Sequence, residues 1–206
     1  MTIDSKLFKH YLPYEMPVIG FPYAHLPEKM RHRVTGKMVG LRDDFCYVHF
    51  QDENGYKWDG VQQIIFADVV PLLRPLEYLV KPCLDGTVPL VELCKFYCDE
   101  KIKVHRCEEV EHYKEERRYR LEFTKDSKHG LFDFEYKAHK MVFTTGDYGG
   151  NHGGSDYTCS FQLQLFEKLF AMHFDVFGMI KEGFAQSLYE EKNKNILPFL
   201  SCAIDR

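Results

Sequence analysis

The residues best equipped for chemistry fall in two neighbouring stretches. A glycine-rich run, Gly146-Asp147-Tyr148-Gly149-Gly150-Asn151-His152-Gly153-Gly154-Ser155-Asp156-Tyr157, follows a hairpin carrying Arg117, Arg118, Arg120, Lys125, Lys128 and His129. Successive glycines can turn backbone N–H groups inward to form an anion-binding concavity. Tyr148 and Tyr157 could stack on a base, Asn151 and His152 would add directional hydrogen bonds, and arginine grips phosphate with two parallel donors. The candidate ligand-binding set is therefore Arg117, Arg118, Arg120, Lys125, Tyr148, Gly149, Gly150, Asn151, His152 and Tyr157. The competing reading is a surface loop joining a strand to a helix, which the length and glycine content fit at least as well. Gly149-x-x-x-Gly153 is not a dinucleotide fingerprint, because the spacing and the acidic partner are missing.

A second cluster is Cys94, Cys98, His105 and Cys107, four thiol or imidazole groups that could in principle surround zinc. Their spacing is not that of a common finger, and Cys94 falls on the apolar side of a helix, where a thiol acts as a small hydrophobe. Neither a metal nor a cofactor is expected. The chain has no Gly-x-Ser-x-Gly elbow, no His-Glu-x-x-His and no Walker loop. The carboxylate pairs Glu108-Glu109, Glu115-Glu116 and Glu190-Glu191 read as solvated faces. His173 precedes Phe174 and Asp175, but adjacent helical residues face different ways. It reads as a hydrogen-bonded core histidine, and Arg74 as a residue that fixes its segment through backbone carbonyls. No catalytic residue is assigned, and the chain reads as non-enzymatic.

The elements that must position these groups follow from periodicity. Residues 1–27 are rich in proline and aromatics, which limits them to a short opening helix or strand and then an irregular segment. Cys46, Val48 and Phe50 alternate with Tyr47, His49 and Gln51, the period of a half-buried strand. Asn54-Gly55 then predicts a hairpin whose return spans 58–66. Pro71 and Pro75 make 69–79 a bridge out of the sheet. Asp85-Gly86-Thr87 precedes a helix over 88–100, with Pro89 in its first turn. Tyr119, Leu121 and Phe123 alternate with Arg118, Arg120 and Glu122, and a turn at 126–130 leads to a returning strand over 131–143. The strongest helical signal covers 161–181, where a polar stripe at 164, 168, 171, 175, 178 and 182 leaves a wide apolar face. Ser160 would cap it and Gly183 would stop it. The expected fold class is α+β, antiparallel strands and hairpins with a long C-terminal core helix. The expected organisation is an N-terminal β-rich unit, 1–68, and a C-terminal α/β unit, 69–206, built on the helix at 161–181.

Composition bounds the partners. Thirty-one acidic residues against 27 lysines and arginines give a formal charge of -4, which disfavours duplex nucleic acid. Aromatic residues make up 15% of the chain, which suits pleated surfaces and leaves room for homo-oligomerisation. Seven irregularly spaced cysteines look like reduced thiols, not a disulfide framework. No signal-peptide run and no membrane-length segment stand out, so the expected location is cytoplasmic.

Three segments resemble a family of accessory proteins of Bacteroidetes phages and prophages. Val69-Val70-Pro71-Leu72-Leu73-Arg74-Pro75-Leu76 is similar to that family's "ILRPL" linker, and the stretch at 84–96 fits the polar turn and short helix that follow. Residues 166–180, Phe-Glu-Lys-Leu-Phe-Ala-Met-His-Phe-Asp-Val-Phe-Gly-Met-Ile, with Gly183-Phe184-Ala185, resemble its C-terminal "LFxxHFDVFGLIxxGLA" helix. Residues 106–157 do not align to the pattern. The resemblance implies a viral protein in a bacterial host cytosol, of a kind that often neutralises host defences, and it carries no catalytic residue over. Sequestration of a small anionic, nucleotide-type ligand is the leading expectation. A protein-interaction module that inhibits a host enzyme, and a nucleotide hydrolase, are the alternatives.

Overall fold

The structure is a computed structural model that describes residues 5–21, 34–42, 45–51, 60–98, 101–111, 116–137, 140–147 and 157–189. Among these residues there are eleven strands in two sheets and two α-helices: β1 Met16–Gly20, β2 Val34–Arg42, β3 Phe45–Gln51, β4 Gln62–Ile65, β5 Val69–Leu73, α1 Pro89–Cys98, β6 Lys103–Glu111, β7 Arg117–Lys125, β8 Lys128–Lys137, β9 Lys140–Asp147, β10 Tyr157–Thr158, α2 Gln162–Ala171 and β11 Gln186–Ser187. The fold is thus mostly β, and the expected α+β class with a long C-terminal core helix is overturned. No helix among the described residues is long and apolar enough to cross a membrane.

The chain divides into two compact units. The first takes residues up to 76 and resumes at 169; the second takes 77–168. The first unit holds a six-stranded sheet in the order β11-β5-β1-β2-β3-β4. Alternation in β3 works as the sequence implies: Cys46, Val48 and Phe50 are buried while Phe45 and His49 are exposed. Met16, Val18, Met38 and Leu73 join them in one core with Phe8 and Tyr11. Pro71 does not lead out of the sheet. It sits within β5 opposite Val18, and the neighbour on the other side, β11, pairs only at Leu72 and Leu73. A proline, which lacks an N–H, is tolerated where the ladder is this short.

The helix expected over 161–181 stops at Ala171. His173 adopts a left-handed backbone, φ 58°, which a helix cannot continue through. Phe174 instead bridges Arg74 in parallel. Asp175 then organises a tight turn by accepting the Met179 N–H at 2.7 Å and the Ile180 N–H at 2.9 Å. Gly178, at φ 71°, supplies a conformation that other residues enter at a cost. Phe174, Val176 and Met179 are apolar because this turn is buried, not because they continue a helical face.

The second unit holds a five-stranded antiparallel meander, β10-β9-β8-β7-β6. The strand expected over 131–143 is in fact two, β8 and β9, joined in a hairpin closed by Lys137 against Lys140. One face of the meander is aromatic: Tyr119 lies opposite Phe134, Leu121 opposite Phe132, and Phe143 opposite Phe134. Tyr97 of α1 packs against Phe132 at 5.7 Å, and Phe166 of α2 meets Phe143 edge-on at 5.5 Å. Such aromatic pairs add about 0.5–1.5 kcal/mol beyond the area they bury. α1 begins at Pro89, and the Thr87 hydroxyl, in place to cap it by sequence, instead donates to Asp85, which also accepts the Thr87 N–H.

Candidate functional site

Strand alternation decides where the hairpin arginines go. With Tyr119, Leu121 and Phe123 turned into the aromatic face, Arg118 and Arg120 must occupy the other. Register places Arg118 opposite Glu135 and Arg120 opposite Asp133. Arg120 donates from Nε to both Asp133 oxygens, at 3.1 and 3.2 Å, and from its terminal nitrogen at 2.7 Å. Arg118 bonds Glu135 and also lies 3.5 Å from Asp133. Asp133 is only 1% exposed and Glu135 8%. Buried carboxylates of this kind persist because they are paired. Arg117, on the aromatic side, lies 3.6 Å from Glu77 and 3.9 Å from Glu109. Burial pushes the pKa of the nearby Tyr119 hydroxyl up to about 12. The arginine charges of the expected ligand site are therefore already matched by carboxylates within the protein. A sequence signal for this exists: 118 and 135, like 120 and 133, lie equally far on either side of the Asp126-Ser127 reversal.

The turn end of the same hairpin differs. Asp126 and Ser127 both have positive φ, 49° and 65°, as a two-residue hairpin turn requires. They bring Lys125 opposite Lys128 and Thr124 opposite His129, while Lys103 of β6 pairs with Thr124. The rings of His105 and His129 lie 5.5 Å apart, and His105 Nε2 is 2.5 Å from the Thr124 hydroxyl. Lys103, His105, Lys128 and His129 are all exposed, and Lys125 donates to the Cys98 carbonyl. Among the described residues, Lys103 and Lys128 form no ion pair. Gly130, next along β8, leaves no room for a side chain, because a Cβ there would meet the Phe123 ring at 2.7 Å.

The glycine-rich segment begins near this end. It leaves the sheet at Asp147, opposite Gly130, and rejoins it at Tyr157, opposite Thr145. Tyr157 is 61% exposed. Tyr148, Gly149, Gly150, Asn151 and His152 lie outside the described residues. Five residues of β7 separate Arg118 from Phe123, the partner of Gly130, which is roughly 17 Å of extended strand. Tyr157, through Thr145 and Phe132, is level with Leu121, midway along β7 between Lys125 at one end of the sheet and Arg117 at the other. Sequence reasoning passed over Lys103 and weighed His105 only as a metal ligand, because β6 lacks the alternation that reveals a strand.

The thiol and imidazole cluster does not assemble into a metal site. Among the described residues no group of three or more histidines, cysteines or acids could hold an ion. His105 is engaged by Thr124 and His129. Cys46, Cys94, Cys98, Cys107 and Cys159 are free thiols, whereas Cys83 is held in a disulfide, against the expectation of reduced thiols throughout.

No protein-family model, curated protein or solved structure matches the chain.

Residues 69–76 and 169–185 both fall in the first unit, and what they build there is scaffold. Arg74 N–H donates to the His173 carbonyl and Asp175 N–H to the Arg74 carbonyl, both at 2.8 Å. The Tyr11 hydroxyl donates to the Phe174 carbonyl at 2.7 Å. His173 Nε2 lies 2.9 Å from the Tyr14 carbonyl, an acceptor only, so this nitrogen carries the proton. Burial pulls the His173 pKa down to about 4. A neutral imidazole committed to a backbone carbonyl holds the chain in place and is not poised to move protons. Burial raises the Asp175 carboxyl, against the pull of its backbone N–H partners.

Proposed function

We propose that the chain is a non-enzymatic accessory protein, encoded by a phage or prophage and active in the host cytosol, that captures a small anionic ligand of the nucleotide type. The observation that carries this reading is the register that gathers Lys103, Lys125, Lys128, His105 and His129 at the sheet end near which the glycine-rich segment leaves β9, opposite Gly130. An ammonium 4 Å from a phosphate is worth about 1 kcal/mol in water and about 4 kcal/mol near a protein surface. A micromolar complex needs about 8 kcal/mol. Three lysines around a single charge give about 3–12 kcal/mol on these figures, so a ligand of several charges reaches that range more readily, which favours di- and triphosphates and cyclic dinucleotides over monophosphates.

The test is capture. Purified protein is incubated with a panel of linear and cyclic nucleotides, and free compound is separated from material released by heat. Depletion followed by intact recovery supports sequestration, and Lys103→Glu with Lys128→Glu should abolish it. A converted product would replace this reading with the hydrolase alternative. If every compound stays free, the ligand reading fails.

One observation favours the interaction-module reading. Phe45 and Ile65 are cross-strand neighbours on β3 and β4, at 40% and 51% exposure, and β4 ends the first sheet. Exposed apolar pairs beside a sheet edge suit a protein partner. Loss of inhibition of a host enzyme by Phe45→Ser with Ile65→Ser, nucleotide capture being absent, would decide for it. A host cytosol is reducing, so Cys83 is expected to be alkylatable in freshly lysed cells and bridged only after exposure to air.

A further inference from the structure

Helix α1 ends on two cysteines one turn apart. Positions four residues apart share a helix face, and the Cys94 and Cys98 sulfurs stand 3.9 Å from each other. Cys94 is fully buried. Cys98 is the last residue of the helix and only half-buried, so the pair has an inner and an outer member. From β7, Lys125 reaches across to donate to the Cys98 carbonyl, which places an ammonium beside the outer thiol. We propose that Cys98 and Cys94 form a peroxide-responsive dithiol, with Cys98 the attacking sulfur and Cys94 the resolving one. The proposal does not rest on the ligand reading.

The electrostatics agree with the geometry. The hydrogen bond from Cys94 and the charge of Lys125 hold the Cys98 thiol below its usual value, against the effect of burial. The same bond and burial push Cys94 up. Cys46, Cys107 and Cys159 are each pushed up to about 12, chiefly by burial. Thiolate is the nucleophilic form, so Cys98 differs in kind from the other free thiols.

In the first step the Cys98 thiolate attacks one oxygen of hydrogen peroxide. The O–O bond breaks, hydroxide leaves and takes up a proton as water, and Cys98 becomes a sulfenic acid. In the second, the Cys94 sulfur attacks Cys98 Sγ. An S–S bond forms, the S–O bond breaks, and the hydroxyl leaves as water with the Cys94 proton. Two thiols and one peroxide give one disulfide and two waters. The Cα atoms of residues four apart in a helix are roughly 6.2 Å apart, within the span a disulfide bridges. The Cys98 end, where the helix stops, can supply the remaining adjustment.

Lys95 lies between the two cysteines, which makes the product easy to read. Trypsin separates Cys94 from Cys98 when both are reduced and leaves their fragments joined when they are bridged. After brief treatment of dilute protein with hydrogen peroxide, non-reducing digestion should give joined fragments at a rate independent of protein concentration. Cys94→Ser should instead trap a sulfenic acid on Cys98 that dimedone labels at least tenfold faster than Cys46, Cys107 or Cys159. Lys125→Met, which leaves both thiols in place, should slow that labelling severalfold. If Cys98 is labelled no faster than the buried thiols, or the wild-type fragments never join, the proposal is overturned.

Discussion

The two ends of the β7–β8 hairpin carry the same sign of charge and meet opposite fates. At the open end Arg118 and Arg120 face Glu135 and Asp133 across the ladder and are about one-fifth exposed. At the turn end Lys103 and Lys128 are exposed and form no ion pair among the described residues. The difference lies in the opposite strand: acids stand across from the arginines, whereas Lys125 stands across from Lys128 and His129 across from a threonine. Charge in a sequence therefore says little about binding until the residue across the ladder is known. Like charges placed opposite each other cost stability in a sheet, and a site that keeps them needs either solvent or an anion to offset the repulsion.

The largest effects are expected where the charges are matched. Asp133→Asn leaves two guanidinium groups without their shared counter-ion, and breaking a buried pair in this way costs about 3 kcal/mol or more. Urea unfolding would measure it. Replacing Arg120 and Asp133 together by leucine should recover a substantial part of that loss, since an apolar pair of similar volume often matches a buried ion pair. If the double variant is as unstable as the single one, the ladder is held by something other than this pairing.

The same rule, that a buried polar group is tuned by its fixed partners, extends to His173. The unfolded imidazole takes up a proton below its ordinary 6.5, and the folded one only below about 4. Between those values the unfolded state holds more protons, so stability falls as the pH drops through that window. The full swing is on the order of 3 kcal/mol. Asp175, raised by burial, gains relative stability as it protonates and partly offsets the loss at the acid end. Asparagine tolerates the left-handed backbone at 173 and does not titrate. His173→Asn should therefore flatten the stability profile between about pH 4 and 6.5. An unchanged profile would assign the pH dependence to another group. Gly130→Ala is the intermediate case: its Cβ would press on the Phe123 ring, for a cost of about 1–3 kcal/mol.

Legibility tracked how strongly each segment had to alternate. β3 and β7 bury one side each, so Cys46, Val48 and Phe50, or Tyr119, Leu121 and Phe123, announced them. β6 is an edge strand whose Lys103, Val104, His105 and Arg106 are all exposed, and no period marks it. The helix over 161–181 was drawn too long because a buried irregular turn and a buried helix are equally apolar; only the Asp175 turn and the Gly178 conformation separate them. For the candidate site, glycine content and a basic hairpin direct attention to the five-stranded sheet. That the arginines face acids follows from the cross-strand register, which the sequence yields only once strand partners are counted outward from the Asp126-Ser127 reversal. The central part of the glycine-rich run lies outside the described residues.

The smallest expected change in stability belongs to the turn end and is the most informative about function. Lys128→Glu alters an exposed residue with no ion pair among the described residues, so unfolding should move by no more than about 0.5 kcal/mol. Nucleotide affinity should nevertheless drop about tenfold, equal to about 1.4 kcal/mol, and the loss should shrink as salt is raised, because exposed charges are screened over about 10 Å at 0.1 M. Neutralising Arg117 should leave affinity unchanged, as it lies at the far end of β7 and already faces Glu77 and Glu109. Titration calorimetry on the two variants side by side separates the ends. Equal losses would mean that the ligand spans the sheet, whereas a loss confined to the Arg117 variant would return the site to the arginines and reverse the contrast drawn between the two ends.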